Sequence, residues 1–563
     1  MARAIKCIIP SLLVIAAISF AVVYLTHHHH QPCKLGECVV KVVEGFVKGR
    51  ERRSALTGGK YYSFQGIPYA KPPVGPLRFK DPQPIGHWFG VHDCTREGDA
   101  CPQENSGSED CLFLNIYNTQ FPDDDIIQHP VMVWFHGGGF IQGSSSEILY
   151  GADYLMQHDV VLVTVNYRLG ALGFLSVGNE EVPGNAGLKD QVVALKWIKS
   201  NIANFGGDPN NITLFGNDAG AASVHYHTLS PMTKGLFKNV IMQSGSALSE
   251  WAFQDDCTDR AYMLGHLLGI NATKPEALLH FMRSLPVSDI IDMQKHLHMN
   301  EDMNRCFSTP FAPCVEVGLE NDTDGYFLLE NPKQLIESGN FTQVPMIIGI
   351  VSNEGSLGLD TKRKIDEFKE FLPYDIRQVT DIDELDSLEQ KVKMFYFKNE
   401  SVGLHSVKSY MDVCGDLEIV NGIQQTLDYQ LAKSKEPIYV YAFTFEGKYN
   451  YMNHHMTQEL DAQLPSGPYH MDEIGYLFHQ GNRKSTLKHN STEVKTINHI
   501  TKMWTDFAKT NDPNGFHANE YWENTEKDHP RYLEIGELLK MTGTFLVPER
   551  MQFWKNIYSS VNA

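Results

Sequence analysis

Positive charge is scarce in this chain. Forty-eight Lys and Arg face 68 Asp and Glu, which leaves a formal net charge of −20 and a pI near 5.6. A nucleic-acid-binding surface needs a basic footprint, and none is present. The same deficit argues against general adhesion to anionic lipid. Also lacking are a paired CxxC pattern, a sustained heptad, an internal repeat and a Gly/Ser-rich linker. Their absence excludes a zinc-ribbon module, a long coiled coil, a solenoid and a string of flexibly tethered modules. No metal site is expected. The last residues, Ser559-Ser560-Val561-Asn562-Ala563, form neither a lipidation box nor an apolar anchor tail.

One long hydrophobic run stands out, from Ile8 to Leu25, preceded by Arg3 and Lys6. It is at the lower limit for crossing a bilayer. Basic residues before such a run favour a cytoplasmic N-terminus. The residues after it, Thr26 and then His27 to His30, make a poor signal-cleavage site. The expectation is an uncleaved signal-anchor, with a cleaved signal peptide as the alternative. The chain is then membrane-anchored in type II orientation, or secreted. Residues 1–7 are a short cytoplasmic end, 8–26 the signal-anchor or signal peptide, 27–38 a stalk, and 39–563 one large domain. The histidine run reads as a polar spacer.

Cysteines and sequons fit an exported chain. Nine of the 10 cysteines follow the apolar run, so at least one is unpaired or intermolecular. Six Asn-x-Ser/Thr sequons occur, at Asn211, Asn271, Asn321, Asn340, Asn399 and Asn490. Asn211 is set aside because it abuts an apolar strand. The other five are the expected glycosylation sites.

Beyond residue 39, composition is that of a globular protein, with 42% hydrophobic and 21% charged residues. Short apolar runs alternate with amphipathic segments. Val131–Phe135, Val160–Val165, Ile212–Phe215, Val344–Val351 and Ile438–Phe445 read as strands. Leu188, Val192, Leu195, Ile198 and Ile202 recur at helical spacing, and Gly206-Gly207 ends that segment. The alternation predicts an α/β protein with a large, mostly parallel sheet and helices on both faces.

Two short motifs carry chemistry. Ile212–Ala222 is strand, tight turn, helix, around Gly216-Asn217-Asp218-Ala219-Gly220. That is the setting of a G-x-S-x-G nucleophile elbow, whose outer glycines allow a strained turn and close backbone packing. Asp218 holds the central place. The second motif, His136-Gly137-Gly138-Gly139, follows the strand Val131–Phe135. A lone glycine triplet is ordinarily a turn. Paired with an elbow, the amides of Gly138, Gly139 and Ala219 read as an oxyanion hole.

Longer motifs occur in one order along the chain. They are Phe64-Gln65-Gly66-Ile67-Pro68-Tyr69-Ala70 and Glu109-Asp110-Cys111-Leu112-Phe113-Leu114-Asn115. Asn166-Tyr167-Arg168, Phe205-Gly206-Gly207-Asp208-Pro209, Gln243-Ser244-Gly245 and Asp512-Pro513-Asn514 follow. On these the chain resembles the carboxylesterase/cholinesterase (type-B carboxylesterase) family from about Val39 onward. The resemblance implies an α/β-hydrolase fold and no cofactor. It marks Glu354, in Ser352-Asn353-Glu354-Gly355, as the triad acid. It marks His470, in Gly467-Pro468-Tyr469-His470-Met471-Asp472-Glu473, as the triad base. It pairs Cys101 with Cys111, and it places Cys257 at the start of a second loop whose partner position is missing. Helices near the C-terminus serve as dimer contacts in some members, which makes the segment Met503–Ala508 a candidate homodimer surface.

Three departures bear on function. Asp218 stands where the family has its serine, Asn217 where it usually has Glu, and His92 where cholinesterases carry an aromatic that holds a quaternary ammonium. A serine esterase needs a neutral hydroxyl that His can deprotonate. Asp218 has no such proton, and its charge favours imidazolium at His470. The expectation is an Asp218–His470–Glu354 ion-pair cluster, with the carboxylate filling its own oxyanion hole. The expected role resembles that of neuroligin- and neurotactin-like members: binding of a protein partner, adhesion, or capture of a small apolar ligand. The alternative is a hydrolase of esters or epoxides with Asp218 as nucleophile, because a carboxylate attacks alkyl carbon well.

Overall fold

The continuously apolar runs become the middle of one large sheet. The computed structural model describes residues 37–561 apart from 122–126, 256, 298, 300–304, 317–324, 360–370, 399, 451, 453–463, 482–487, 489 and 516–520. Among these residues the strands, in chain order, are β1 (Glu37–Val42), β2 (Gly45–Arg53), β3 (Lys60–Pro68), β4 (Val91–Asp93), β5 (Phe113–Asn118), β6 (His129–Phe135) and β7 (Val161–Val165). Then come β8 (Gly207–Asn217), β9 (Asn239–Gln243), β10 (Met346–Val351), β11 (Ile438–Phe443), β12 (Tyr532–Ile535) and β13 (Leu539–Thr542). Their order across the sheet is β1-β2-β3-β5-β7-β6-β8-β9-β10-β11-β12-β13, with β4 beside β2. Neighbours from β7 through β12 run parallel, and the flanks are antiparallel apart from the short parallel pair β2–β4.

Period-2 alternation explains why the central strands are apolar throughout. Along β6, Val131, Val133 and Phe135 join one core with Leu188, Val192, Leu195 and Ile198 of the helix Ala186–Asn201. Met132 and Trp134 join the opposite core with Ile497, Ile500, Trp504 and Phe507 of the helix Thr492–Thr510. A strand covered on both faces must be apolar at every position. The same covering buries the Arg168–Asp190 pair, held by two contacts of 2.7 Å from the guanidinium.

Several sequence expectations are corrected here. Glu37 and Cys38 belong to β1 rather than to a stalk, and Cys38 is buried and disulfide-bonded. The amphipathic helix Ala186–Asn201 continues as a 3₁₀ turn over Ile202–Phe205 that Gly206 ends, as expected, at φ 78°; Gly207 instead pairs with His129 as the first residue of β8. In the stretch Met503–Ala508, Trp504, Phe507 and Ala508 lie in the core, while Met503 is half-buried. His92 is exposed on β4 and packs against Trp88 with ring centroids 5.7 Å apart. Five strand positions separate β2, its neighbour, from β8, roughly 24 Å at ordinary strand spacing. His92 therefore says nothing about the ligand preference of the elbow.

Cys101 pairs with Cys111, and Cys306 with Cys414. Cys94 is a buried thiol outside both bonds. Asn271, Asn340 and Asn490 are exposed. Asn321 and Asn399 lie outside the described residues, as do 1–36, which contain the apolar run. No helix among the described residues is long and apolar enough to cross a membrane.

Candidate active site

β8 ends in the elbow and the helix Ala219–Leu229 leaves it. At the turn Asp218 is forced to φ 54°, ψ −121°, a left-handed conformation that costs energy for any residue with a Cβ. The surrounding structure enforces it. The amide of Asp218 donates to the Gln243 carbonyl at 2.9 Å, and a Cβ at Gly220 would run into the carbonyl oxygen of Phe135. The glycines are thus required by proximity of β6 to the new helix. The result presents the Asp218 side chain at the C-terminal end of the parallel strands, where α/β sheets bind ligands.

The glycine triplet closes on that side chain. Gly138 and Gly139 donate their amides to Asp218 Oδ2 at 2.7 and 2.9 Å. On the other side His470 Nε2 stands 3.6 Å from Asp218 Oδ1, and His470 Nδ1 contacts Glu354 Oε2 at 2.6 Å. The 3.6 Å gap exceeds hydrogen-bond reach. Neither Asp218 Oδ1 nor His470 Nε2 has another hydrogen-bond partner among the described residues, so their attraction is that of opposite charges. Glu354 is itself oriented by the Val351 amide at 2.8 Å, and the His470 amide donates to Ser356 Oγ at 3.0 Å. All three side chains are at most 3% exposed.

Burial disfavours each charge, but the cluster outweighs it. Burial pushes the Asp218 carboxyl up, yet His470 and the amides of Ala219 and Gly139 hold it below the usual carboxylate range. Burial also opposes the imidazolium, yet Asp218 and Glu354 together raise His470 to about 10. At neutral pH the histidine is therefore a proton donor and not a base.

Motif reading located Asp218, Glu354, His470, Gly138, Gly139 and Ala219, and the structure brings all six together. It missed the polar layer behind them. Gln243 Nε2 donates to Glu473 Oε1 at 3.1 Å, and Trp504 Nε1 donates to Gln243 Oε1 at 3.1 Å. Burial, reinforced by the charge of Glu354, raises Glu473 to about 7. The signal was present: Gln243 opens one quoted motif and Glu473 ends another. Asn217, fully buried beside the elbow, has no hydrogen-bond partner among the described residues on either side-chain atom.

The profile of the carboxylesterase family matches residues 36–554. The chain belongs to the carboxylesterase family. This carboxylesterase-family chain is 36% identical over 495 residues to Esterase FE4 of Myzus persicae, covering 84% of each chain. It is 34% identical over 514 residues to the juvenile hormone esterase of Tribolium castaneum, covering 85% of this chain and 84% of the other. Among solved structures, juvenile hormone esterase from Manduca sexta with OTFP covalently attached superposes with a TM-score of 0.82. It is 29% identical and covers 93% of this chain and 100% of that one.

Proposed function

We propose that this member of the family binds and does not hydrolyse esters by a serine mechanism. One observation carries the reading: Asp218 Oδ2 occupies the Gly138 and Gly139 amides that would hold a developing oxyanion. An ester entering this site meets a filled hole, a charged elbow and a histidine that cannot take a proton. Its partner is a protein, as in adhesion, or a small apolar ligand of the kind the esterase relatives turn over. The chain is exported, held by residues 8–26 or secreted.

A second reading is favoured by the unpartnered Asp218 Oδ1 facing His470 Nε2. In it Oδ1 attacks an epoxide carbon, the carbon–oxygen bond of the ring breaks, and the alkoxide takes the proton of imidazolium His470. Alkylation removes the charge of Asp218, so the now neutral histidine can deprotonate a water that hydrolyses the ester and releases a diol.

The test is turnover of p-nitrophenyl acetate and styrene oxide by the purified full-length chain and by Asp218→Ser and Asp218→Ala. Wild type silent on both, with esterase activity gained in Asp218→Ser, supports the binding reading. Wild-type turnover abolished in Asp218→Ala overturns it. Turnover confined to styrene oxide supports the second reading.

A further inference from the structure

The edge of the sheet that begins the domain shows apolar side chains to the outside. Across β1, β2 and β4, Lys41 stands opposite Phe46, and Phe46 opposite Val91. Paired residues share a face of a sheet, and so do residues two apart along a strand. Val39, Val43, Phe46 and Val91 therefore share one face. Cys38, Val40, Val42 and Val47 point the other way, into the core. On the outer face Val39, Val43 and Val91 are exposed and Phe46 is half-buried. Phe89, in the loop that leads into β4, is fully exposed. That loop is pinned next to Phe89. The Trp88 amide donates to the Glu44 carbonyl at 2.9 Å, and Trp88 Nε1 to the Phe46 carbonyl at 3.1 Å.

Single exposed apolar residues are ordinary, but a cluster of them marks an interaction surface. The charged residues on the same face are Lys41, Lys48 and Asp93. Two lysines against one aspartate leave it close to neutral in a chain of net charge −20. A surface of this kind suits an uncharged apolar boundary better than a polyanion or a polycation.

The covalent chain says which boundary is near. The apolar run ends at Leu25 and β1 begins at Glu37. Residues 26–36 reach at most about 40 Å even when fully extended. A folded body of this size is roughly 60 Å across. The opposite edge, β13, is eleven strand positions from β1, roughly 53 Å at ordinary strand spacing. A bilayer that holds the apolar run thus lies on the β1 side of the domain. Aromatic and apolar side chains at such a distance gain by entering the boundary between headgroups and acyl chains. We propose that the β1–β2–β4 face docks on the bilayer surface, with Phe89 and Val91 seated in zwitterionic lipid. This rests on the reading of residues 8–26 as an anchor.

The test places the photo-cross-linker p-benzoylphenylalanine at position 89, or at position 538 as a control, in the full-length chain in phosphatidylcholine nanodiscs. Leu538 is as exposed as the docking residues but lies beside β13. Lipid adducts are expected at 89 and not at 538, with a yield that added salt leaves unchanged because the contact is apolar. Carbonate extraction of the same chain from phosphatidylcholine vesicles reports on the anchor separately. A chain released by carbonate marks a failure of the anchor, and a retained chain without adducts at 89 marks a failure of the docking face. No lipid adduct at 89, equal adducts at both positions, a yield that falls with salt, or adducts at 89 to protein in place of lipid overturns the proposal.

Discussion

Asp218 Oδ2 sits 2.7 Å from the amide of Gly138, so a side chain of the elbow fills the space that an oxyanion needs. The opposite oxygen faces His470, and the strained turn holds both relationships at once. The consequence reaches the histidine, which is protonated because it stands between two buried carboxylates.

Asp218→Asn keeps an oxygen for the Gly138 and Gly139 amides and removes the charge. The His470 value should then fall from about 10 toward its ordinary 6.5. Histidine proton resonances followed through a pH titration check this. A His470 value unmoved in a folded variant would show that Glu354 alone holds the imidazolium.

The cluster also sets a pH window for stability. Asp218 is held below its ordinary 3.8, so its contribution is present above 3.8 and is lost as pH falls through the depressed value. His470 is raised from 6.5 to about 10, so its contribution is full below 6.5 and is lost as pH rises through about 10. Both are complete between 3.8 and 6.5. The alkaline fall in melting temperature should flatten in His470→Gln. Equal alkaline slopes in wild type and variant would exclude the histidine as its cause.

Gly220→Ala should cost on the order of 3 kcal/mol, because its Cβ meets the Phe135 carbonyl and the backbones cannot part without opening the sheet. Gly86, with no atom within 4 Å of a built Cβ, is the control, and Gly86→Ala should stay within about 0.5 kcal/mol of wild type. Denaturant unfolding measures both, and similar losses at the two sites would refute the clash.

Arg168 and Asp190 are buried partners, and removing one leaves the other charge without compensation. Arg168→Ala should destabilise by about 3–5 kcal/mol. Arg168→Met paired with Asp190→Leu should recover part of that loss. Unfolding midpoints of the single and double variants decide it, and a double variant no better than the single contradicts the unpaired-charge account.

Much of the site was legible because its chemistry is carried by short contiguous motifs. Gly216–Gly220 must be an elbow, since only glycines tolerate the approach of the helix to β6. Likewise Glu354 and His470 stand in motifs recognisable residue by residue. The central strands were legible from unbroken apolar runs. Ends of elements were not: Gly207 reads as a helix stop, yet its pairing with His129 makes it the start of β8. Cys306 and Cys414, 108 residues apart, could not be paired from spacing. His92 was given weight by motif position that its place on an edge strand does not bear. The sequence alone determined the family, the fold class and the exchange of serine for Asp218, because each is a matter of residue identity in a local pattern. Only the tertiary structure decided that Asp218 accepts the Gly138 and Gly139 amides and that Glu473 and Gln243 back the histidine. Those contacts join residues dozens to hundreds of positions apart, and distance in space is set by the packing of the whole sheet.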